Sequence, residues 1–395
     1  MQKTIINCEI IDNSEWAEVD DPNDLSLAEF QFNKESKTNL LQNSFGGYWN
    51  YDVIDFCFIR NMYYPTNAMI AEIKNYAPKL LTNYGSKQTI LNKKLSYVLQ
   101  YDSDKLIALN GATQIYPILK QLFNDKRALV PTPTFGEYDQ LFLNSQKYYD
   151  LVGVKIDEIE SKIDSSEVVV FVNPNNPTGS IVSTKWIYKT VQKNTDKLFI
   201  IDESFIEFSD EFSIVELLEK NALENIIVIR SMSKNYGLPG IRLGFIYTCN
   251  NLLYNKISSN IPIWNLNSVA EFYLEIILKN KIGLLESYEK TKRDRKEFIL
   301  SLKKIDLIDK VYESGANFIF FSIRSSTLNS NYILNFLIKE HNIFIKDVSE
   351  KMNIQHKYFF RVAVRLPHEN KNLIDAISDL EKKIVKMKKI NNKIL

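Results

Sequence analysis

Glycine is scarce in this chain, with 12 residues in 395, about 3% where about 7% is usual. A chain so sparing keeps glycine where backbone geometry demands it. Gly111, Gly136, Gly179, Gly237, Gly240 and Gly244 all fall inside four polar, turn-rich strings: NGATQIY, PTPTFGEY, NPNNPTG and SKNYGLPGIRLG. Cysteine is scarcer, three residues at 8, 57 and 249, an odd number at wide spacing that makes neither a disulfide framework nor a CxxC metal site. These read as buried or idle thiols. Histidine also occurs only three times, as His341, His356 and His368, without the i, i+4 pairing of a zinc helix, so metal catalysis has little support. Long apolar runs are missing; the longest, such as Val168 to Val172, are strand-sized, and none is long enough to span a membrane. No excess of one charge exists either. Lys plus Arg number 49 against 48 Asp plus Glu, a net +1, which argues against a nucleic-acid partner. The opening MQKTIINCEIIDNSEW has no apolar block after a basic one, so it does not read as a secretory signal, and the cytoplasm is the expected compartment.

What is present is a regular alternation. The first 44 residues are polar and acidic, with DDPND at 20–24, and read as a loosely structured extension that would not fold alone. From about residue 66, short apolar runs (KLIAL, RALV, EVVVFV, KLFII, NIIVIR) alternate with longer amphipathic stretches. That is the pattern of an α/β domain with a mostly parallel sheet, expected over 45–290. A helical stretch from about 265 to 305 leads to a second pattern, strand ANFIFFSI, helix NYILNFLIKE, strand YFFRVAVRL and a final amphipathic helix, expected as a smaller α+β domain over 291–395. The Lys-rich tail KMKKINNKIL reads as a solvated helix end.

Ligands of such sheets gather at the carboxyl ends of the strands, and each unusual string follows a strand. Lys234, in IRSMSKNYGLPGIRLGF, lies just after a buried strand, flanked by Ser231 and Ser233 and followed eight residues on by Arg242. That setting suits a Schiff-base amine beside a phosphate pocket, although a lysine in a loop is ordinarily a solvated one. Asp202 ends the strand LFII, where a carboxylate can hold a pyridine nitrogen protonated or simply cap a helix. Asn176 in NPNNPTG can donate to a phenolate oxygen or serve the turn. Gly111, Ala112 and Thr113 turn into a helix whose first N–H groups suit an anion. Phe135 offers a flat face, as cofactor wall or as core.

Taken together, these residues resemble the fold-type I pyridoxal-phosphate enzymes of the class I/II aminotransferase superfamily, from about Phe45 to the C-terminus. The resemblance implies pyridoxal 5'-phosphate as cofactor, with Lys234 as the Schiff-base lysine, Asp202 at the pyridine nitrogen, Asn176 at the ring oxygen and Phe135 stacked on the ring. It implies a phosphate cup of Ala112, Thr113, Ser231, Ser233 and Arg242, and a homodimer in which Tyr84, in LTNYGS, reaches the neighbour's phosphate. Within the superfamily, histidinol-phosphate aminotransferases usually carry Tyr where DESFIEF has Phe205, and threonine-phosphate decarboxylases are similar to this chain there, in NGATQIY, in RVAVR at 361–365 and in FGGYWNYDVIDF at 45–56. Phe45 stands where those decarboxylases have His, and Lys346 where they have Arg.

Arg361, inside the apolar run YFFRVAV, needs an anionic partner, either a substrate group or a nearby Glu. Arg365 and Lys346 add positive charge, which a substrate bearing both carboxylate and phosphate requires. The expected activity is decarboxylation of a small O-phosphorylated amino acid, serine phosphate or threonine phosphate. The alternative is an aminotransferase acting on a phosphorylated small substrate. A cofactor-binding regulator joined to a DNA reader would need a basic recognition helix, and none is visible.

Overall fold

The computed structural model of the protein describes residues 16–32, 37–150, 155–324, 328–352, 354 and 356–394, with side chains up to 387. The first 15 residues, Cys8 among them, and the side chains ending the Lys-rich tail lie outside that set.

A two-residue strand, β1 (Ile54–Asp55), comes first, followed by the seven strands of the large sheet: β2 (Leu106–Asn110), β3 (Arg127–Thr132), β4 (Asn144–Tyr149), β5 (Val168–Val172), β6 (Leu198–Asp202), β7 (Ile226–Ser231) and β8 (Leu243–Tyr247). Their order is β2-β8-β7-β6-β5-β3-β4, parallel throughout except for β8, which runs against both its neighbours. The continuous apolar runs follow from burial on both faces. Along β5, Val169 and Phe171 join one core while Val168, Val170 and Val172 join the other, the period of two that a pleated strand imposes. Helices cover both faces.

β9 (Ile308–Val311), β10 (Phe318–Arg324), β11 (Ile343–Phe344), β12 (Lys346–Asp347) and β13 (Lys357–Ala363) follow. Four of these form an antiparallel sheet, β12-β13-β10-β9, with its own apolar core. β1 pairs in parallel with β11, so residues 54–55 sit with the C-terminal elements, and position 290 falls inside the helix Lys281–Leu302 rather than between elements.

The loosely structured extension expected before Phe45 is helical over its described part, Pro22–Phe32 and Lys37–Ser44. Phe30 and Leu41 are buried with Tyr48, Cys57, Ile338 and Phe344, and Thr38 Oγ1 donates to Asn335 Oδ1 at 2.5 Å. The DDPND string is a helix start. Asp21 Oδ1 accepts from the Asn23 and Asp24 amides at 2.7 and 2.9 Å, and Pro22 fills the first helical position. Among the described residues, no helix is long and apolar enough to cross a membrane.

Candidate active site

The turn after β2 is shaped by the strand that runs against its neighbours. β8 lies between β2 and β7, and its Gly244 sits opposite both Leu109 and Ser231. A Cβ at Gly244 would press on the Ala112 amide nitrogen at 2.5 Å, so only glycine lets the turn after β2 approach the end of β7. Arg242, in left-handed backbone at φ 58°, reaches back so that its Nη2 donates to Thr113 Oγ1 at 3.0 Å. Its guanidinium also covers Gly111, where φ is +75° and a side chain would collide with it. Ser231 is buried, and its hydroxyl has no hydrogen-bond partner among the described residues. Ser233 differs: its hydroxyl donates to Leu243 O at 3.1 Å and accepts from Leu243 N at 3.2 Å, which ties β8 to the Lys234 turn. Of the two serines, Ser231 is the one with a hydroxyl to offer.

Asp202, 3% exposed, ends β6 with both oxygens engaged. Oδ1 accepts from Ser204 N at 2.9 Å and Ser204 Oγ at 2.5 Å, the capping role its position allows. Oδ2 accepts from Tyr138 Oη at 2.9 Å and Tyr116 Oη at 3.2 Å. Burial, together with this carboxylate, pushes both phenols far above their ordinary range, so they stay protonated and donate. Neither tyrosine was singled out in the sequence, although Tyr116 ends the NGATQIY string.

Lys234 lies in the short helix Met232–Asn235 after β7. Its Nζ is 4.3 Å from the Phe205 ring centre and 5.8 Å from that of Phe135. Burial pushes its pKa down to about 8; Asp202 opposes that shift, and Arg361 and Arg242 add to it. The turn is fastened from outside the motif. The Asn61 amide donates to Lys234 O at 2.8 Å and its side chain to Asn235 O at 2.9 Å, while Asn235 donates to Glu207, itself paired with the buried Arg230. These partners are distant in sequence, so no local pattern announces them.

The three asparagines of NPNNPTG divide the work. Asn173 exchanges two 2.9 Å bonds with the Val182 main chain. Asn175 donates to Pro133 O at 2.8 Å and to Asp150 and accepts from Thr134 Oγ1 at 2.9 Å, locking this loop to the one carrying Phe135. Asn176 accepts from Arg361 Nη1 at 2.8 Å, and its own amide hydrogens have no acceptor among the described residues.

Arg361, on β13, also donates through Nη2 to Cys57 O at 2.5 Å, while its buried Nε has no partner. Among the described residues no carboxylate ion-pairs with it. Lys346, on β12, is its cross-strand partner, and its ammonium lies 5.2 Å from the Phe45 ring centre, again without an ion pair. The glutamate partner that the sequence left open for Arg361 belongs instead to Arg365, whose Nη2 meets Glu369 Oε1 at 2.6 Å and whose Nη1 donates to Asp55 O at 2.7 Å. Its charge is therefore neutralised. Tyr84 is not among the side chains around Lys234; it is 80% exposed with its ring stacked on Trp264 at 4.6 Å. A cleft of about 610 Å³ opens elsewhere, between the Thr178–Ser180 turn and residues 310–315, and none of the predicted site residues line it.

These groups fit a phosphate-bearing pyridine: an anion cup with a free serine hydroxyl, a buried carboxylate, an amide with unused donors, and an amine of lowered pKa against aromatic walls. Comparison with known proteins agrees. A CMP-5'-(3-aminopropyl)phosphonate synthase of Streptomyces rubellomurinus is 27% identical over 92% of this chain, which spans 59% of that protein. The chain spans only 34% of another relative, an adenosylcobalamin biosynthesis bifunctional protein of Leptospira interrogans. An L-serine phosphate decarboxylase of Campylobacter jejuni is 28% identical over 83% of this chain and 89% of its own length. The crystal structure of the histidinol-phosphate aminotransferase of Clostridium acetobutylicum superposes with a TM-score of 0.73 at 26% identity, over 84% of this chain and all of that one. Residues 60–377 match aminotransferase class I and II, and with that match over most of its length the chain belongs to this family of pyridoxal-phosphate-dependent enzymes.

Proposed function

We propose that the protein decarboxylates a small O-phosphorylated amino acid, L-serine phosphate or L-threonine phosphate, to the phosphorylated amino alcohol. The observation that carries this reading is the pair Arg361 and Lys346, cross-strand neighbours beside Asn176 and Phe45 that make no ion pair with a carboxylate among the described residues. Two uncompensated cations in a partly buried wall call for a ligand with two anionic groups. Kinship with the L-serine phosphate decarboxylase supports the substrate class and the reaction.

Ala112, Thr113, Ser231 and Arg242 would hold the cofactor phosphate, with Ser233 bracing the turn. Asn176 would donate to the ring oxygen, Phe135 would stack on the ring, and Asp202 would keep a proton on the ring nitrogen, oriented by Tyr116 and Tyr138. When bound, the cofactor supplies a sink for the electron pair left at the substrate's Cα. Arg361 orients the substrate by one acidic group, and Phe205 and Phe135, with Phe318 packed behind Phe205, exclude water around Lys234. With its pKa near 8, the Lys234 amine holds a proton at Nζ that it can deliver to Cα once carbon dioxide has left.

Tyr84 supports a homodimer in this reading. A phenol so exposed, stacked on Trp264 and close in sequence to exposed Leu81, suits a surface that meets a second copy. The cytoplasm remains the proposed compartment. Incubation with L-serine phosphate, scored for carbon dioxide against keto acid, separates decarboxylation from the aminotransferase reading that the histidinol-phosphate relative keeps in view.

A further inference from the structure

A third cation stands at the mouth of this site. After β12 the chain makes a tight turn, Ser349–Lys351, which carries Lys351 over the loop that holds Phe135. Lys351 Nζ donates to the Thr134 carbonyl and lies 3.7 Å from Asp139 Oδ2. Asp139 does not depend on it, since its other oxygen holds Lys147 Nζ at 3.0 Å. Among the described residues Arg361 and Lys346 make no ion pair, with Asp55 attracting Arg361 only at longer range, and Lys351 meets one carboxylate that is already engaged. Burial pushes the Lys351 ammonium below its ordinary range; Asp139 opposes that shift, and repulsion from Lys346 and Arg361 adds to it. The small-sheet wall thus holds more cations than it has ion-paired carboxylates among the described residues.

We propose that Lys351 is a specificity-determining residue that binds the phosphate end of the substrate together with Lys346, while Arg361 takes the carboxylate. The proposal rests on the phospho-amino-acid reading above. A phosphate dianion needs more than one charge-assisted donor to replace its water, and Lys351 has three N–H groups, so it can turn from Asp139, which keeps Lys147, and donate to a phosphate while still holding the buried Thr134 carbonyl.

The test is calorimetric titration of the holoenzyme, native and carrying Lys351→Gln or Lys351→Arg, with phosphoethanolamine, ethanolamine and L-serine. One charge-assisted hydrogen bond corresponds to roughly a 10- to 100-fold change in affinity. Lys351→Gln is expected to weaken phosphoethanolamine binding by about that factor and L-serine binding by less than about twofold, with Lys351→Arg restoring most of the loss. Equal weakening of both ligands, or loss of the bound cofactor's absorbance, would make Lys351 a clasp on the Phe135 loop and overturn the proposal, as would no change in either. Should the native holoenzyme bind phosphoethanolamine no better than ethanolamine, the phospho-amino-acid reading itself fails, and that control separates the two.

Discussion

On the large-sheet side of the site most polar groups already have protein partners, whereas on the small-sheet side Arg361 and Lys346 have no carboxylate partner among the described residues. Asp202 accepts four hydrogen bonds, Ser233 is shared with Leu243, and Arg242 reaches Thr113. Arg361 has only amide and carbonyl oxygens, and Lys346 only an aromatic face. The finished side is preorganised for a group that stays; the unfinished side is charged in advance for a group that comes and goes. The difference teaches where a substitution should damage chemistry and where it should damage recognition.

The largest effect belongs to Lys234→Ala. Turnover and the borohydride-trappable bond to the cofactor should both vanish, checked by mass spectrometry after reduction. Next comes Asp202→Asn, which keeps its shape between the two tyrosines and Ser204 but removes the charge; kcat should fall roughly 10²- to 10³-fold while cofactor affinity changes much less. Near-normal turnover would reduce Asp202 to a cap. On the other wall, Arg361→Gln should lower kcat/KM for the phosphorylated substrate by roughly 10²-fold, with the cofactor's absorbance intact. Arg365→Gln, four residues along the same chain, should leave kcat/KM within about threefold and instead lower stability by about 1–3 kcal/mol, because Glu369 loses its partner. A thermal melt reads that loss. If Arg365→Gln damaged recognition as Arg361→Gln does, the contrast between the walls would collapse.

The smallest effect is one of pH. An amine with pKa near 8 is roughly 10% neutral at pH 7, and only the neutral form attacks an aldehyde. Uptake of pyridoxal phosphate by the cofactor-free protein, followed by absorbance, should therefore quicken as pH rises through 8 and then level off. A rate still climbing above pH 10 would mean that Lys234 is an ordinary, solvated lysine.

The same contrast marks what the sequence could reveal. The buried strands β5, β6 and β7 are legible because burial on both faces demands unbroken apolar runs, and the residues at their ends sit in local motifs. β4, reading NSQKYY, is a polar edge strand and carries no such run; β8 begins at the end of the glycine-rich string, where Leu243 and Gly244 read as part of a turn. The acidic extension reads as solvated charge because of DDPND, although Asp before Pro is also how a helix begins. In the site, Tyr138, Asn61 and Lys351 were missed because each meets its partner through the fold, from 64 to 217 residues away. The Arg365–Glu369 pair was within reach of sequence, being an i, i+4 pair at a helix start.

Cations without ion pairs beside a lysine of lowered pKa suit carbon chemistry on a phosphorylated amino acid. Incubating the holoenzyme with carboxyl-labelled L-serine phosphate and counting released carbon dioxide against phosphoethanolamine tests it most directly. One carbon dioxide per phosphoethanolamine, without keto acid, is the predicted result; keto acid without carbon dioxide, or no turnover of either serine or threonine phosphate, would contradict it.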